Sequence, residues 1–391
     1  MKLCVVSFKE CWQDQSGHWY SSGGFPLQMA AVGSLFDEMV LVVIRGPSRQ
    51  GGIALPVDAK VVAMRKPAGR NSRRKLSVLV RLPYYFSKIM GNVRTCDVVH
   101  VPVPGDIAFL GMISAFMMRK RLIARYGSAW ESTGMTTPMN QLTKGLMRVF
   151  AGGRNVMLAT GAGDSPPAPR MHWIFTTAIS EAEIQSVQPD LTRDPQSPLQ
   201  LAYVGRLSPE KGVIYLVQAL GQLRRDMGLN DKSMRLTIIG DGPQKPELVQ
   251  LAKKLDCLDW IWFAGQLNRD QLMSQLIGMD ICVLPSLTES FGKARLDALL
   301  CGVPVITTNV GFANEIVGSD EERGWLVARS DARDLANTLH SILLKQPDWV
   351  SIRKRCRRFA ERLTLEDWTR RIGNISAQQW KVRMEDGKIK A

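Results

Sequence analysis

The chain has 391 residues, 45% of them hydrophobic, with a formal net charge of +15 and a pI near 9.7. That length exceeds one comfortable core, so two domains are expected, and the apolar content excludes a disordered chain. The seven cysteines are odd in number, scattered and free of any Cys-x-x-Cys pair, which argues for a reducing compartment and against a zinc site or disulfide framework. The four histidines show no metal-ligand spacing, and His100 and His172 read as ordinary core or surface residues. No Asp-x-Asp occurs anywhere, so the reading calls for no metal and no other cofactor.

In chain order, apolar runs at residues 3–7, 40–44, 98–101, 122–124 and 173–177 predict short buried strands between helical stretches. They make residues 1–180 a first doubly wound α/β domain. Residues 1–8 are too short an apolar stretch for a signal peptide. The run 107–118, bounded by Asp106 and Arg119, cannot span a bilayer and reads as a buried core helix. A cytoplasmic chain is expected. The polar stretch 181–198, in the proline-bearing region 185–200, reads as a hinge. Strands near Leu201, Leu236, Ile261, Ile281 and Val303 then build a second domain over 199–362.

Two loops of the first domain stand out. Ser21-Ser-Gly-Gly-Phe-Pro26 follows strand one after a Trp- and Gln-rich excursion, and Gly23 and Gly24 would let backbone approach a ligand closely. Read alone it is a mere turn. Arg125-Tyr-Gly-Ser-Ala-Trp-Glu131 follows another strand. The basic excess is concentrated: between Asp58 and Asp97 there is no acid, against Lys60, Arg65, Lys66, Arg70, Arg73, Arg74, Lys75, Arg81, Lys88 and Arg94. Leu82, Tyr84, Tyr85 and Phe86 are among the apolar residues interleaved with them, a mixture that fits an anionic membrane surface. No nucleic-acid recognition motif accompanies it, and no nucleic-acid partner is expected. The bland alternative is a solvated surface flanking a core helix.

In the second domain, Leu201-Ala-Tyr-Val-Gly-Arg-Leu-Ser-Pro-Glu-Lys-Gly212 reads as a strand feeding a turn. It offers Gly205, Arg206 and Lys211 at the carboxyl end, where open α/β sheets bind ligands. Two cations there can neutralise a diphosphate. Leu236-Thr-Ile-Ile-Gly-Asp-Gly-Pro243 is a further strand and tight turn at Gly240. The stretch from Leu284 to Ile306 reads as the end of a strand, a polar turn, a helix opening near Gly292 and a second short strand. Glu289 and Asp297 are eight residues apart, roughly 12 Å if helical. Paired glycosidase carboxylates lie closer, roughly 5 to 9.5 Å apart. The two acids therefore read as the ends of a clamp on a long ligand, with the amides of Ser290, Phe291 and Gly292 facing a phosphate in its middle.

Glu-Ser-Phe-Gly, four residues, an acid, Ala-Leu and Gly-x-Pro-Val-Ile together resemble the signature of the retaining, nucleotide-sugar-dependent glycosyltransferases of family 4. Glu321-Glu-Arg-Gly-Trp-Leu-Val327 is similar to the late Gly-x-Leu-Val element of that family. The resemblance covers roughly 199–340 with four motifs in order. It implies the GT-B fold: two Rossmann-like domains facing an interdomain cleft, with a closing helix at about 363–391 that rejoins the first domain. It also implies that Glu289 contacts the transferred sugar, Asp297 holds ribose, and Arg206 and Lys211 meet the leaving diphosphate. Gly205, Gly240, Ser290, Phe291 and Gly292 would line the donor, and Gly23 and Gly24 the acceptor and diphosphate. The family's second acid is usually Glu, and Asp297 is shorter by one C–C bond, about 1.5 Å. Tyr126 stands where many relatives carry a His near the sugar.

With no covalent nucleophile in view, the resemblance implies front-face transfer from a nucleoside-diphosphate sugar, without metal, to a lipid-linked or polysaccharide acceptor at the cytoplasmic membrane face. The alternatives are an epimerase or phosphorylase on the same fold, and a non-catalytic basic binding protein on a degenerate scaffold.

Overall fold

The computed structural model describes residues 1–49, 51–69, 71–131 and 136–390. Arg70, one of the basic residues singled out above, lies outside the described residues. The chain divides into two compact units, residues 1–178 with 364–391, and residues 179–363.

The first unit is built on strands β1 (Lys2–Gln13), β2 (Trp19–Ser21), β3 (Glu38–Arg45), β4 (Ile53–Ala54), β5 (Ala59–Met64), β6 (Val98–Val103), β7 (Arg121–Tyr126), β8 (Asn155–Thr160) and β9 (His172–Ile174). Seven of these pair in parallel in the order β5-β3-β1-β6-β7-β8-β9, while β2 pairs antiparallel with the last residues of β1 and β4 antiparallel with β2. The strands read as near-continuous Val, Ile and Leu because helices cover both faces, which is what parallel sheets require. Val98, Val99 and Val101 are fully buried, as are Leu122, Ile123 and Ala124. The helix Asp106–Met117 packs on β6 and β1, with Gly111 seated against Val6 and Val101. His100 is a core residue, its Nδ1 against the Ile123 carbonyl at 3.0 Å, and burial followed by the nearby Arg125 charge pushes its pKa down to about 3. His172 is half-buried on β9.

The C-terminal helix Leu365–Trp380 belongs to this unit and packs on the helix Phe25–Gly33. Thr364 caps it, accepting from the Asp367 amide at 3.1 Å. Trp368 is fully buried with the Arg125 guanidinium 5.6 Å over its ring, and Trp380 donates to the Arg154 carbonyl at 3.0 Å.

The second unit carries β10 (Leu199–Val204), β11 (Met234–Ile239), β12 (Ile261–Gly265), β13 (Ile281–Leu284), β14 (Val305–Thr308) and β15 (Gly324–Val327). All are parallel, in the order β12-β11-β10-β13-β14-β15. The chain winds outward one way from β10 and the other way from β13. The crevice between those two strands is the topological switch point, where ligands of open α/β sheets bind.

Several expectations change. The strand expected at 173–177 runs only from His172 to Ile174, while β1 continues to Gln13, bending at a register shift between Val6 and Glu10. β5 and β8 were not foreseen. In β5, exposed Lys60 interrupts an otherwise half-buried run, so no clean period shows. The hinge expected at 181–198 is folded into the second unit. Ser180 caps a helix at Glu181–Ser186, and Arg357 donates to the carbonyls of Ile184 (2.5 Å), Val187 (2.9 Å) and Leu300 (2.8 Å). Prolines marked turns there, but captured carbonyls decide that the segment is fixed.

In the basic stretch, Tyr85 is fully buried and donates to the Arg65 carbonyl at 3.0 Å, so it is a core residue and not a membrane contact. Arg74 is committed to Asp106 at 3.0 Å and lies over Phe8. The apolar side chains that face solvent are Leu76, Leu79 and Val80 on the helix Asn71–Val80. Their i, i+3, i+4 spacing puts them on one face.

Candidate active site

The loops after β10 and β13 meet over the switch point of the second unit. Lys211 and Glu289 form an ion pair across it, their side chains 25% and 21% exposed. Beside it the Leu287 amide donates to the Glu210 carbonyl at 2.9 Å. Gly212, at φ +65°, permits the contact: a Cβ there would stand 2.1 Å from the Pro285 carbonyl oxygen. Tyr203, fully buried, donates to the Arg206 carbonyl at 2.9 Å and fixes the start of the same loop.

Beside this pair, Gly205 and Arg206 line a cavity of about 640 Å³ with Gly240, Asp241 and Leu267. Gly240 must be glycine, because a Cβ would fall 1.9 Å from the Gly205 carbonyl oxygen. The carboxyl ends of β10, β11 and β12 thus form one wall, polar at the rim and backbone-lined at the floor.

The turn expected to face phosphate is present, with Gly292 at φ +77° preceding the helix Lys293–Leu300. Phe291 is fully buried, its ring 4.7 Å from that of Phe312, so its side chain anchors the turn. Ser290 offers its carbonyl to the Phe312 amide at 2.9 Å.

Asp297 differs from expectation. Its carboxylate pairs with Arg269 at 2.8 Å, and Arg269 also reaches Glu183 at 2.5 Å. Burial alone would lower the Arg269 pKa, but Asp297 and Glu183 outweigh it and the net shift is upward. Asp297 is therefore held by a guanidinium. Sequence reasoning missed Arg269, which lies in a different motif-free segment. It also missed Arg295, although a lone Arg in the apolar helix Lys293–Leu300 is itself a signal.

Gly23 and Gly24 lie between β2 and the helix Phe25–Gly33 of the first unit, Gly23 at φ +69° with open space where a side chain would be. Tyr126 is corrected: it is 1% exposed in the core, edge-on to Trp130 at 5.5 Å with Lys144 over its ring. Burial pushes its phenol up to about 12, so it neither faces a ligand nor titrates near neutrality. Among the described residues no group of three His, Cys, Asp or Glu side chains is placed to hold a metal ion, and no helix is long and apolar enough to cross a membrane.

Against known proteins, residues 188–363 match the family model described as glycosyl transferases group 1. A glycogen synthase of Mycobacterium tuberculosis is 36% identical over 182 residues, 46% of this chain and 42% of that protein. The gpi3 subunit of the phosphatidylinositol N-acetylglucosaminyltransferase of Schizosaccharomyces pombe is 31% identical over 159 residues, 41% of this chain and 33% of its own length. The chain thus spans less than half of these relatives. Whole-chain likeness comes from solved structures. HepE of Anabaena, in complex with UDP and glucose, superposes with a TM-score of 0.66 at 18% identity, covering 95% of this chain and 98% of that one. Sucrose-phosphate synthase of Thermosynechococcus elongatus gives 0.69 at 18% identity, covering 97% and 99%. The chain has the GT-B fold, and its similarity to the glycosyl transferases group 1 model lies in residues 188–363.

Proposed function

We propose that the protein is a retaining glycosyltransferase that moves a sugar from a nucleoside-diphosphate donor to a lipid-linked or polysaccharide acceptor at the cytoplasmic membrane face. The observation that carries this reading is the Lys211–Glu289 pair, held over the switch point beside Arg206 and the 640 Å³ cavity. A nucleoside would take the cavity, with its diphosphate directed at the two cations and the turn before Lys293. HepE of Anabaena, with the same fold, binds UDP and glucose.

The chemistry follows from charge. As the sugar–phosphate bond breaks, negative charge accumulates on the departing diphosphate, and preorganised cations stabilise it most where water is excluded. Lys211 would exchange Glu289 for phosphate, freeing that carboxylate for a sugar hydroxyl. The acceptor hydroxyl would give its proton to the leaving phosphate on the same face, which retains configuration without a protein nucleophile. Two cations take the role a divalent ion plays elsewhere.

The membrane part of the reading is supported by the solvent-facing Leu76, Leu79 and Val80 within the acid-free interval from Asp58 to Asp97. A non-catalytic binding protein is the second reading, favoured by the commitment of Asp297 to Arg269.

A thermal-shift screen against UDP, GDP, ADP, CMP and TDP tests the donor site. A ligand at 100 times its Kd should stabilise by about 2.7 kcal/mol. One nucleotide should stand out, and that stabilisation should persist at lower concentration than for inorganic phosphate. A flat screen would remove the nucleotide-sugar assignment.

A further inference from the structure

Arg295 is the third residue of the helix Lys293–Leu300 and is 1% exposed. Long helical side chains turn back toward the helix N-terminus, and this one lies directly under the turn that carries Glu289. The place a Gly292 side chain would take is filled by its Cδ, Nε and Cζ, 3.0–3.2 Å away. Its Nε donates to Thr307 Oγ1 at 2.9 Å and its Nη1 to the Val310 carbonyl at 3.1 Å. Gly311 presses the loop so reached against the turn, at a spacing where a Cβ would come within 2.0 Å of the Ser290 carbonyl oxygen.

Among the described residues no carboxylate bonds to this guanidinium and its Nη2 has no hydrogen-bond partner. Buried charges are ordinarily paired, because an uncompensated one costs far more than a hydrogen bond returns. Burial pulls its pKa down to about 10, partly offset by the nearby Glu289 charge, so it is still a cation at neutral pH. A fixed positive charge has therefore been placed under the turn, while the nearby Glu289 makes its ion pair with Lys211 and not with this guanidinium. The missing counter-charge points outward, to a ligand.

We infer that Arg295 is a buried positioning residue of the diphosphate site, adding its unneutralised charge to those of Arg206 and Lys211 through the turn at Gly292 without touching the ligand. The inference rests on the donor site proposed above. It adds a third cation at a position the phosphates cannot reach, and gives the site a positive bias that water does not screen.

The test uses the full chain and inorganic pyrophosphate, a probe with no nucleobase, read by calorimetry alongside thermal unfolding. Arg295→Met keeps the bulk and removes the charge. It should weaken pyrophosphate binding about tenfold, the effect of one unit charge roughly 12 Å from a unit negative charge at an effective dielectric of about 20. Arg295→Lys loses the planar bonds to Thr307 and Val310 but keeps the charge, and should recover most of the affinity. A purely structural role would lower the unfolding temperature of both variants and leave the affinity of the folded fraction alone; that result, or absence of pyrophosphate binding by the wild type, overturns the inference. Lys211→Ala run in parallel separates the two claims. If it weakens binding and Arg295→Met does not, the diphosphate site stands and Arg295 is excluded from it. If neither does, the site itself is wrong.

Discussion

Lys211 and Glu289 are 78 residues apart in the chain, yet the folds of two loops bring their charges into contact. Partly exposed pairs of this kind contribute little to stability, because desolvation and side-chain entropy offset most of the attraction. Their value lies in charge that can be redirected when a diphosphate arrives. Lys211→Ala and Arg206→Ala should each lower the catalytic rate by roughly 10² to 10³, the size seen when a preorganised charge stabiliser is removed. Steady-state kinetics with a saturating donor measures this, and an unchanged rate in both variants would take the diphosphate away from this pair. At this scale the sequence located Arg206, Lys211 and Glu289 in the loops that follow two strands, and the fold brings Lys211 and Glu289 together. The sequence was uninformative where a neighbour from another segment decides the environment. Phe291 is drawn inward by Phe312, Tyr126 is enclosed by Trp130 and Lys144, and Asp297 is taken by Arg269. None of those partners is predictable from local spacing.

At the scale of elements, five of the six strands of the second unit were readable as short apolar runs ending in Gly or a polar turn, and the four-residue β15 was not read as a strand. The hinge was misread because composition records turn chemistry but not the Arg357 side chain that captures carbonyls from 170 and 173 residues away. The helix Asn71–Val80 shows the same division. Its basic character was visible in the sequence, but the membrane-facing candidates moved from Tyr85 to Leu76, Leu79 and Val80 once burial was known. Each Lys or Arg near an anionic leaflet adds on the order of 1 kcal/mol, and exposed apolar residues at the headgroup boundary add area-dependent insertion. The wild type should cosediment with vesicles of phosphatidylcholine and phosphatidylserine, less with phosphatidylcholine alone, and release as salt rises. Replacing Leu76, Leu79 and Val80 together by Ser should lower that cosedimentation severalfold while leaving the far-UV dichroism unchanged. Equal binding by the variant would return the helix to a plain solvated surface.

For the whole molecule, the GT-B fold, the match of residues 188–363 to the group 1 model and the net charge of +15 are the features that the proposed reading joins. If Arg206 and Lys211 meet the diphosphate as proposed, turnover should survive EDTA. Loss on chelation with recovery by Mn²⁺ would show that these cations are insufficient. The most direct test of the central claim is release of nucleoside diphosphate from a nucleotide-sugar, measured for the wild type and for Glu289→Gln with the nucleotide chosen by the thermal-shift screen. The account predicts steady release by the wild type, and release reduced by at least about 10² in the variant with nucleoside diphosphate affinity nearly intact, because Glu289 acts on the sugar. Full activity of Glu289→Gln, or no release by the wild type from any nucleotide-sugar, would contradict it.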